Sequence, residues 1–481
     1  MRFKDIVCYC AIAFWAATSQ GVQAELNLPE LGGASPAATS LTYEHALGQR
    51  FLRAVRAQTP HFDDPLVVDY LEHLIFRLSE HSNLKDRRLY ITLIKNRMIN
   101  AFAAPGGVIG INHGLFLHAE TQHEFSAILA HELAHLSQRH FARGLEASKQ
   151  AGVISIAGLL AGAILAATAG SEAGLAAITT SNGLASAQQL SYSRTREAEA
   201  DRVGIATMIR ANLDPRAMAY MFERLDRLNR TSAEQVPEFL RTHPVTKNRI
   251  SDAYNQTESV TKKKWPPNLD YQLMRARVTV QQSPQAQGLI TQLTSQPKAE
   301  TAAEQAADDY ALALAYIQAR QFDASRRLLT SLKDRYPNHI AFEVTHIELL
   351  AAQGNIKTAL ASAEKALAIS PGNYPLSMLY SSLLISLDRP ELASEVLTEL
   401  TLSRPNDDQI WYQLAESRGL ANDIPGVHQA RAEYFVLNGN LDGAIKQLGY
   451  AIPLVRQNFQ LSAKIKQRID EIWILQERSD E

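Results

Sequence analysis

The chain has 481 residues, 46% of them hydrophobic and 20% charged, with 24 Gly and 19 Pro. That length exceeds one ordinary domain, and the apolar content is ample for a buried core, which excludes a disordered, collagen-like or coiled-coil chain. A formal net charge of −2 provides no basic field for binding nucleic acid.

Arg2 and Lys4 precede an apolar run from Ile6 to Ala17, and Val22-Gln23-Ala24 has the small-residue pattern of a signal-peptidase site. The run is short for a membrane span of about 20 residues. Residues 1–24 therefore read as a cleaved signal peptide, which places the mature chain in a bacterial periplasm. Both cysteines, Cys8 and Cys10, leave with it, so neither a disulfide framework nor a thiol nucleophile is expected. Residues 25–42, rich in Gly, Ala, Ser and Pro, read as a flexible lead-in.

Helical patterns follow near 43–58 and 64–81. The period then changes: Leu89 to Ile94 is β-rich, Ile99 to Phe102 meets the turn Pro105-Gly106-Gly107, and Val108 to Ile111 returns as a strand. A small sheet containing a hairpin is predicted. Beyond about residue 114 the pattern is helical almost to the end.

His131-Glu132-Leu133-Ala134-His135 lies in a helical stretch from about Gln122 to Lys149. Residues four apart on a helix are displaced by only about 40°, so both imidazoles face one point, which suits a zinc ion. Glu132 is turned about 100° from His131, where it can serve as a general base but not as a ligand. Phe125, Ile128, Leu129, Leu133 and Leu136 make this helix a buried one. A catalytic zinc needs a third protein ligand. Glu197 and Asp201, again four apart, offer two carboxylates on one face. One could bind metal while the other orients a histidine; equally, the pair could be a solvated acidic face partnered by Arg194, Arg196 and Arg202.

Residues 151–170 carry no charge, yet a single crossing between His135 and Glu197 would split the site across a membrane. Residues 171–190 are too polar for a return crossing, so at most peripheral membrane contact is expected. Thr242-His243-Pro244 reads as a loop leading into a helix that begins at Pro244. His243 could be a removable fourth ligand, a transition-state donor or an ordinary surface histidine. Lys262 to Pro267 is charged and helix-breaking and reads as a linker.

Pro337, Pro371 and Pro405 are spaced by 34 residues, with Leu332, Ala366 and Leu400 five residues before them. A 34-residue helix–turn–helix period ending in proline is the tetratricopeptide pattern. Trp411, Leu414 and Ala415 begin a fourth repeat. Gly439 and Ala444 fit only after a half-repeat shift, which predicts one long helix serving two pairs.

The histidine pair, Glu197 with Asp201, and Asn100-Ala101-Phe102-Ala103-Ala104-Pro105-Gly106-Gly107 together resemble the gluzincin family of metallopeptidases, which includes the CAAX prenyl protease and heat-shock membrane proteases. With the signal peptide and the repeat tail, the resemblance is to periplasmic members of Gram-negative bacteria and covers nearly the whole mature chain. It implies a mainly α fold: a gluzincin-like zinc metallopeptidase domain with a small β-sheet over 43–264, then an all-α tetratricopeptide solenoid over 268–481. It implies one Zn2+ per chain held by His131, His135 and Glu197, a catalytic Glu132, and Asp201 behind a ligand histidine. The strand Asn100, Ala101, Phe102 would border the cleft and hold an extended substrate by its edge. The implied function is a zinc endopeptidase that degrades misfolded or stalled outer-membrane β-barrel proteins and assists their assembly. Its partners would be those proteins and their assembly machinery. The competing reading is a chaperone or scaffold whose zinc site is latent, closed by His243.

Overall fold

A computed structural model describes residues 40–150, 194–231, 237–260, 263–297 and 299–480. The expected signal peptide, the lead-in up to residue 39 and the apolar insert at 151–170 with its polar continuation to 190 lie outside the described residues. Two helices come first, α1 (Leu41–Gln58) and α2 (Pro65–Glu80). Asp64 starts α2: its carboxylate accepts the Leu66 and Val67 N–H groups, and Pro65 fills the first turn, where no N–H is needed. Val67, Leu71, Leu74, Ile75 and Leu78 recur at helical spacing and form its buried face.

The predicted sheet has three strands, β1 (Tyr90–Ile94), β2 (Ala101–Ala104) and β3 (Val108–Asn112), in the order β1-β3-β2. β3 is the middle strand, parallel to β1 and antiparallel to β2, and all five of its residues are buried. The β2–β3 hairpin closes through Pro105-Gly106-Gly107, as the sequence predicts. Gly107 has φ +81°, and a Cβ there would stand 2.0 Å from the Arg88 carbonyl oxygen, so only glycine fits. The outer edge of β1 is covered: Phe62 N–H donates to Leu93 O and Lys95 N–H to Pro60 O. β2 forms the other edge.

A short helix α3 (Gly114–His118) leads to α4 (Gln122–Ser137), whose capping residue Thr121 accepts the Glu124 N–H. α4 is buried from Phe125 to His135, packed against α2, β2 and two later helices, α6 (Arg194–Arg210) and α7 (Ala217–Thr231). Between α4 and α6 lies α5 (His140–Gln150). After α7 come α8 (Glu238–Thr242) and α9 (Lys247–Thr257).

The rest is helical. After α10 (Leu269–Gln281) and α11 (Ala286–Ser295), antiparallel helices follow in pairs: α12 (Ala302–Gln318) with α13 (Phe322–Arg335), α14 (Ile340–Ala352) with α15 (Ile356–Ile369), α16 (Tyr374–Ser386) with α17 (Pro390–Ser403) and α18 (Asp408–Leu420) with α19 (Ile424–Leu437). The chain ends in α20 (Leu441–Leu454) and α21 (Phe459–Asp480). The turn inside each of these four pairs holds one left-handed residue, Arg320, Gly354, Asp388 or Asn422, so the 34-residue period is a backbone period as well. Pro337, Pro371 and Pro405 each stand two residues past a helix end, where no helical N–H is required. One helix does serve two pairs at the half-repeat shift, but it is not the long one expected. α19 has an ordinary 14 residues and packs on both α18 and α20, because Gly439, at φ +78°, ends it with the turn chemistry used within pairs.

The solenoid and the N-terminal half share one apolar core that runs from Phe62 to Ala393. Tyr271 of α10 is fully buried among Phe116, Phe125 and Tyr70, and its hydroxyl donates to Ala119 O at 2.8 Å. Arg277, one turn and a half further on, is buried between Asp64 (2.6 Å) and Glu348 (2.6 Å), with Tyr310 and Thr345 beside it. Arg404, after α17, pairs with Glu72 of α2 and lies 3.9 Å over the Tyr374 ring. The non-helical segment 263–267 is held too: Trp265 packs edge-on against His123 of α4. Among the described residues, no helix is long and apolar enough to cross a membrane.

Candidate metal centre

Two helices build the site. α4 presents His131 and His135 on one face, one turn apart. α6 crosses it at Gly204, where a Cβ would already meet the backbone of Ala130 and His131 at 3.2 Å. That close approach brings Glu197, in the first turn of α6, and Asp201, one turn later, against the two imidazoles.

His131 Nε2 and His135 Nε2 stand 2.9 Å apart. The Glu197 carboxylate faces both, 3.5 Å from His131 Nε2 and 3.6 Å from His135 Nε2. His243 completes the group: its Nδ1 is 3.1 Å from Glu197 Oε1 and 3.4 Å from His131 Nε2. These four buried side chains offer ligand atoms that all lie within 4.8 Å of one another. Asp201 Oδ1 stands on the other side of His131, 2.9 Å from Nδ1. A proton on that nitrogen satisfies the carboxylate and leaves Nε2 as a lone pair aimed at the centre.

The electrostatics favour a positive charge at this point, carried by a proton or a metal ion. Burial works against a charged His131, yet hydrogen bonds to Asp201 and Glu197 raise its pKa to about 9. Burial, with His131 and His243 as neighbours, holds His135 well below the usual histidine range. Burial also pushes Glu197 up, but His243 and His131 outweigh it and keep the carboxylate well below its usual range. Two imidazole nitrogens 2.9 Å apart beside a carboxylate hold either a shared proton or a cation, and imidazole with carboxylate suits a divalent first-row metal. The residues present fit a metal ion.

Glu132 is 1% exposed and points off this axis. Burial pushes its carboxyl up, opposed by His243 and His131. Oε1 has no hydrogen-bond partner among the described groups; His243 Nε2 stands 3.7 Å from it, and the Ala103 N–H is near enough to favour the ionised carboxylate slightly. That proximity places the glutamate beside the β2 edge. Asn112 N–H donates to Asn100 O, so in the antiparallel ladder Asn100 and Phe102 turn their main-chain groups toward β3. Ala101 and Ala103 turn theirs outward. Asn100 is 2% exposed, Ala101 is fully buried, and the Phe102 ring lies over Gly110 and against Phe51. The Phe102 side chain thus belongs to the core, and the outward main chain beside the glutamate is that of Ala103.

His243 lies on the entry loop expected of it, and it is held there. It closes α8, donating its N–H to Phe239 O, and its ring stacks on Phe239 at 4.8 Å with 2% exposed. The helix expected to begin at Pro244 begins at Lys247, because the Thr246 hydroxyl caps it by accepting the Arg249 N–H. Arg249 itself went unread in the sequence. Its guanidinium makes two 2.7 Å hydrogen bonds to Asp201, stands 2.8 Å from Glu197 Oε2 and packs over the Phe222 ring. Arg194 and Arg202, the partners under the solvated-face alternative, are exposed, and Arg196 donates to His140 O. Nothing in the local pattern around Arg249 separates it from a surface arginine.

Comparison with known proteins agrees with this architecture. The sequence pattern of peptidase family M48 matches residues 65–257, and that of the tetratricopeptide repeat matches residues 350–416. A putative beta-barrel assembly-enhancing protease of Vibrio cholerae is 33% identical over 477 residues, 99% of this chain and 98% of that one. The beta-barrel assembly-enhancing protease of Escherichia coli is 29% identical over 452 residues, 94% of this chain and 92% of that one. The mitochondrial metalloendopeptidase OMA1 of Schizosaccharomyces pombe is 28% identical over 181 residues, 38% of this chain and 50% of that one.

Proposed function

The chain belongs to the beta-barrel assembly-enhancing protease family, whose peptidase half is of family M48, and from that membership we propose that it is a periplasmic zinc endopeptidase that degrades misfolded or stalled outer-membrane β-barrel proteins and assists their assembly. The observation that carries this reading is the convergence of His131, His135 and Glu197 on one buried point with Glu132 beside it at the β2 edge. His131, His135 and Glu197 would hold the zinc, with Asp201 fixing His131 and Arg249 fixing Asp201. When bound, the metal supplies a Lewis acid that polarises the scissile carbonyl and acidifies water.

The chain's own residues supply the rest. An extended substrate pairs with the outward main chain of β2 near Ala103, which sets its scissile bond beside Glu132. Glu132, its carboxyl raised by burial, takes the proton of the attacking water and delivers it to the leaving amine. The solenoid, beginning at about residue 268, would recruit clients or the assembly machinery. The apolar run and small-residue site before residue 25 support export.

A second reading rests on His243. Its ring nitrogen is within the ligand group, so it can act as a fourth ligand that keeps the peptidase latent. The Glu132→Gln variant tests the first reading. Digestion of an unfolded outer-membrane β-barrel protein by the native mature chain and not by the variant is the expected result. If neither cleaves although both bind zinc and client, the chaperone reading replaces it. His243→Ala then decides between roles: raised proteolysis excludes a transition-state donor, and lowered proteolysis excludes the latch.

A further inference from the structure

The two histidines of α4 are supported differently. His131 has a carboxylate, Asp201, at its Nδ1. His135 has another imidazole: His140 Nδ1 lies 2.8 Å from His135 Nδ1. On its far side, His140 Nε2 is 3.1 Å from Glu199 Oε2, and Arg143 holds Glu199 at 3.0 Å. His140 is fully buried. Its position depends on a break in the chain, since Arg139 adopts φ +50°, ends α4 and turns α5 back over the last turn of α4. Glu44 of α1 pairs with the Arg139 side chain and secures that turn.

Two nitrogens 2.8 Å apart form a hydrogen bond only if one of them carries the proton and the other does not. If His140 donates, the His135 proton is forced onto Nε2, the nitrogen that faces His131 and Glu197. A neutral His140 would then also turn a lone pair toward Glu199. If His135 donates from Nδ1, its Nε2 lone pair faces the centre, and His140 carries its own proton on Nε2, where the Glu199 carboxylate accepts it. Only the second arrangement gives Glu199 a proton to accept and leaves the His135 Nε2 lone pair for a metal ion.

We propose that His140 and Glu199 are positioning residues that fix His135 in the tautomer able to bind metal through Nε2. This rests on the metallopeptidase reading above. The chain runs Arg143, Glu199, His140, His135, with each proton assigned by its neighbour. Outer partners of this kind orient a ligand imidazole and make it more basic. Asp201 does so for His131 directly, and Glu199 does so for His135 through one intervening ring.

The test is zinc affinity of the full mature chain, measured by competition with a chromophoric chelator, with circular dichroism melts as a check on folding. His140→Leu keeps the volume but removes the acceptor, and should weaken zinc binding by about 10–100-fold. His140→Asn, which places a carbonyl oxygen near the old Nδ1, should recover most of that loss. Glu199→Ala should weaken binding in the same direction, and it carries the test alone if His140→Leu does not fold. Unchanged affinity in folded His140→Leu or in Glu199→Ala overturns the proposal. Equal loss in His140→Leu and His140→Asn also overturns it, since that marks a packing role. His131→Ala separates the two readings: if it binds zinc as tightly as the native chain, the metal site itself is wrong.

Discussion

Replacing Glu238 by glutamine should stabilise the protein, and by an amount that grows with pH. Glu238 stands in the first turn of α8, 2% exposed, near Asn100 and Asn112, with no well-aligned donor on either oxygen. Burial pushes its carboxyl up to about 8, against the opposing pull of Arg241. In the unfolded chain the group loses its proton near the ordinary 4.5. Between those two values the folded state binds more protons than the unfolded state, so stability falls as pH rises. Below 4.5 the residue makes no difference, and above about 8 the slope ends. From 4.5 to pH 7, at 1.36 kcal/mol per unit, the native protein gives up about 3 kcal/mol. Glutamine keeps the shape and carries no such linkage. Urea unfolding of both proteins at pH 5, 6, 7 and 8, with zinc saturating, gives the difference directly, because every other titrating group cancels. A difference that is flat over this range would refute the reasoning, since Glu238 would then ionise normally in the folded chain.

Arg277→Met leaves Asp64 and Glu348 facing each other without a counter-charge and should cost about 3–5 kcal/mol in urea unfolding. Arg249→Lys exchanges a two-pronged contact with Asp201 for a single one and should lower zinc affinity about tenfold, read by chelator competition. Stripping the metal with a chelator should lower stability by about 2.7 kcal/mol relative to zinc at 100 times its dissociation constant, and added zinc should restore it. Asp388→Gly relieves a left-handed backbone at φ +56° in an exposed repeat turn and should raise the urea midpoint, by about 0.5–1 kcal/mol in stability.

The parts legible in the sequence are those fixed by local spacing. His131 and His135 share a face because four residues nearly complete a turn, and Pro337, Pro371 and Pro405 mark helix ends because proline cannot continue a helix. The hairpin at Pro105-Gly106-Gly107 was readable for the same reason. What escaped depends on contacts distant in the chain. Arg249 gains its role only when α9 packs beside α6, and no neighbour in sequence announces it. His243 does lie on the loop before the next helix, but that helix starts three residues later than expected because a threonine cap outcompeted the proline. His140 needed the left-handed turn at Arg139, a conformation that arginine seldom advertises. The half-repeat shift at Gly439 was seen, but its cause is a change of turn chemistry and not of helix length.

Tyr271 and Arg277 lie on the far side of the 263–267 segment from the residues they support, and this decides where the chain can be cut. A fragment ending at residue 264 would strip the rings of Phe116 and Tyr70 of their cover and leave Asp64 a buried charge with no counter-ion. In folding terms, the first helices of the tail are part of the hydrolase, and excision would give an unfolding-prone remnant instead of a minimal enzyme. The same joint ties the tail to the core at several points, Arg277 and Arg404 among them, together with Arg56 of α1 on Asn406 O at 3.1 Å. Tension on a polypeptide held by the repeats would load the hydrolase core through these contacts, not through a slack tether.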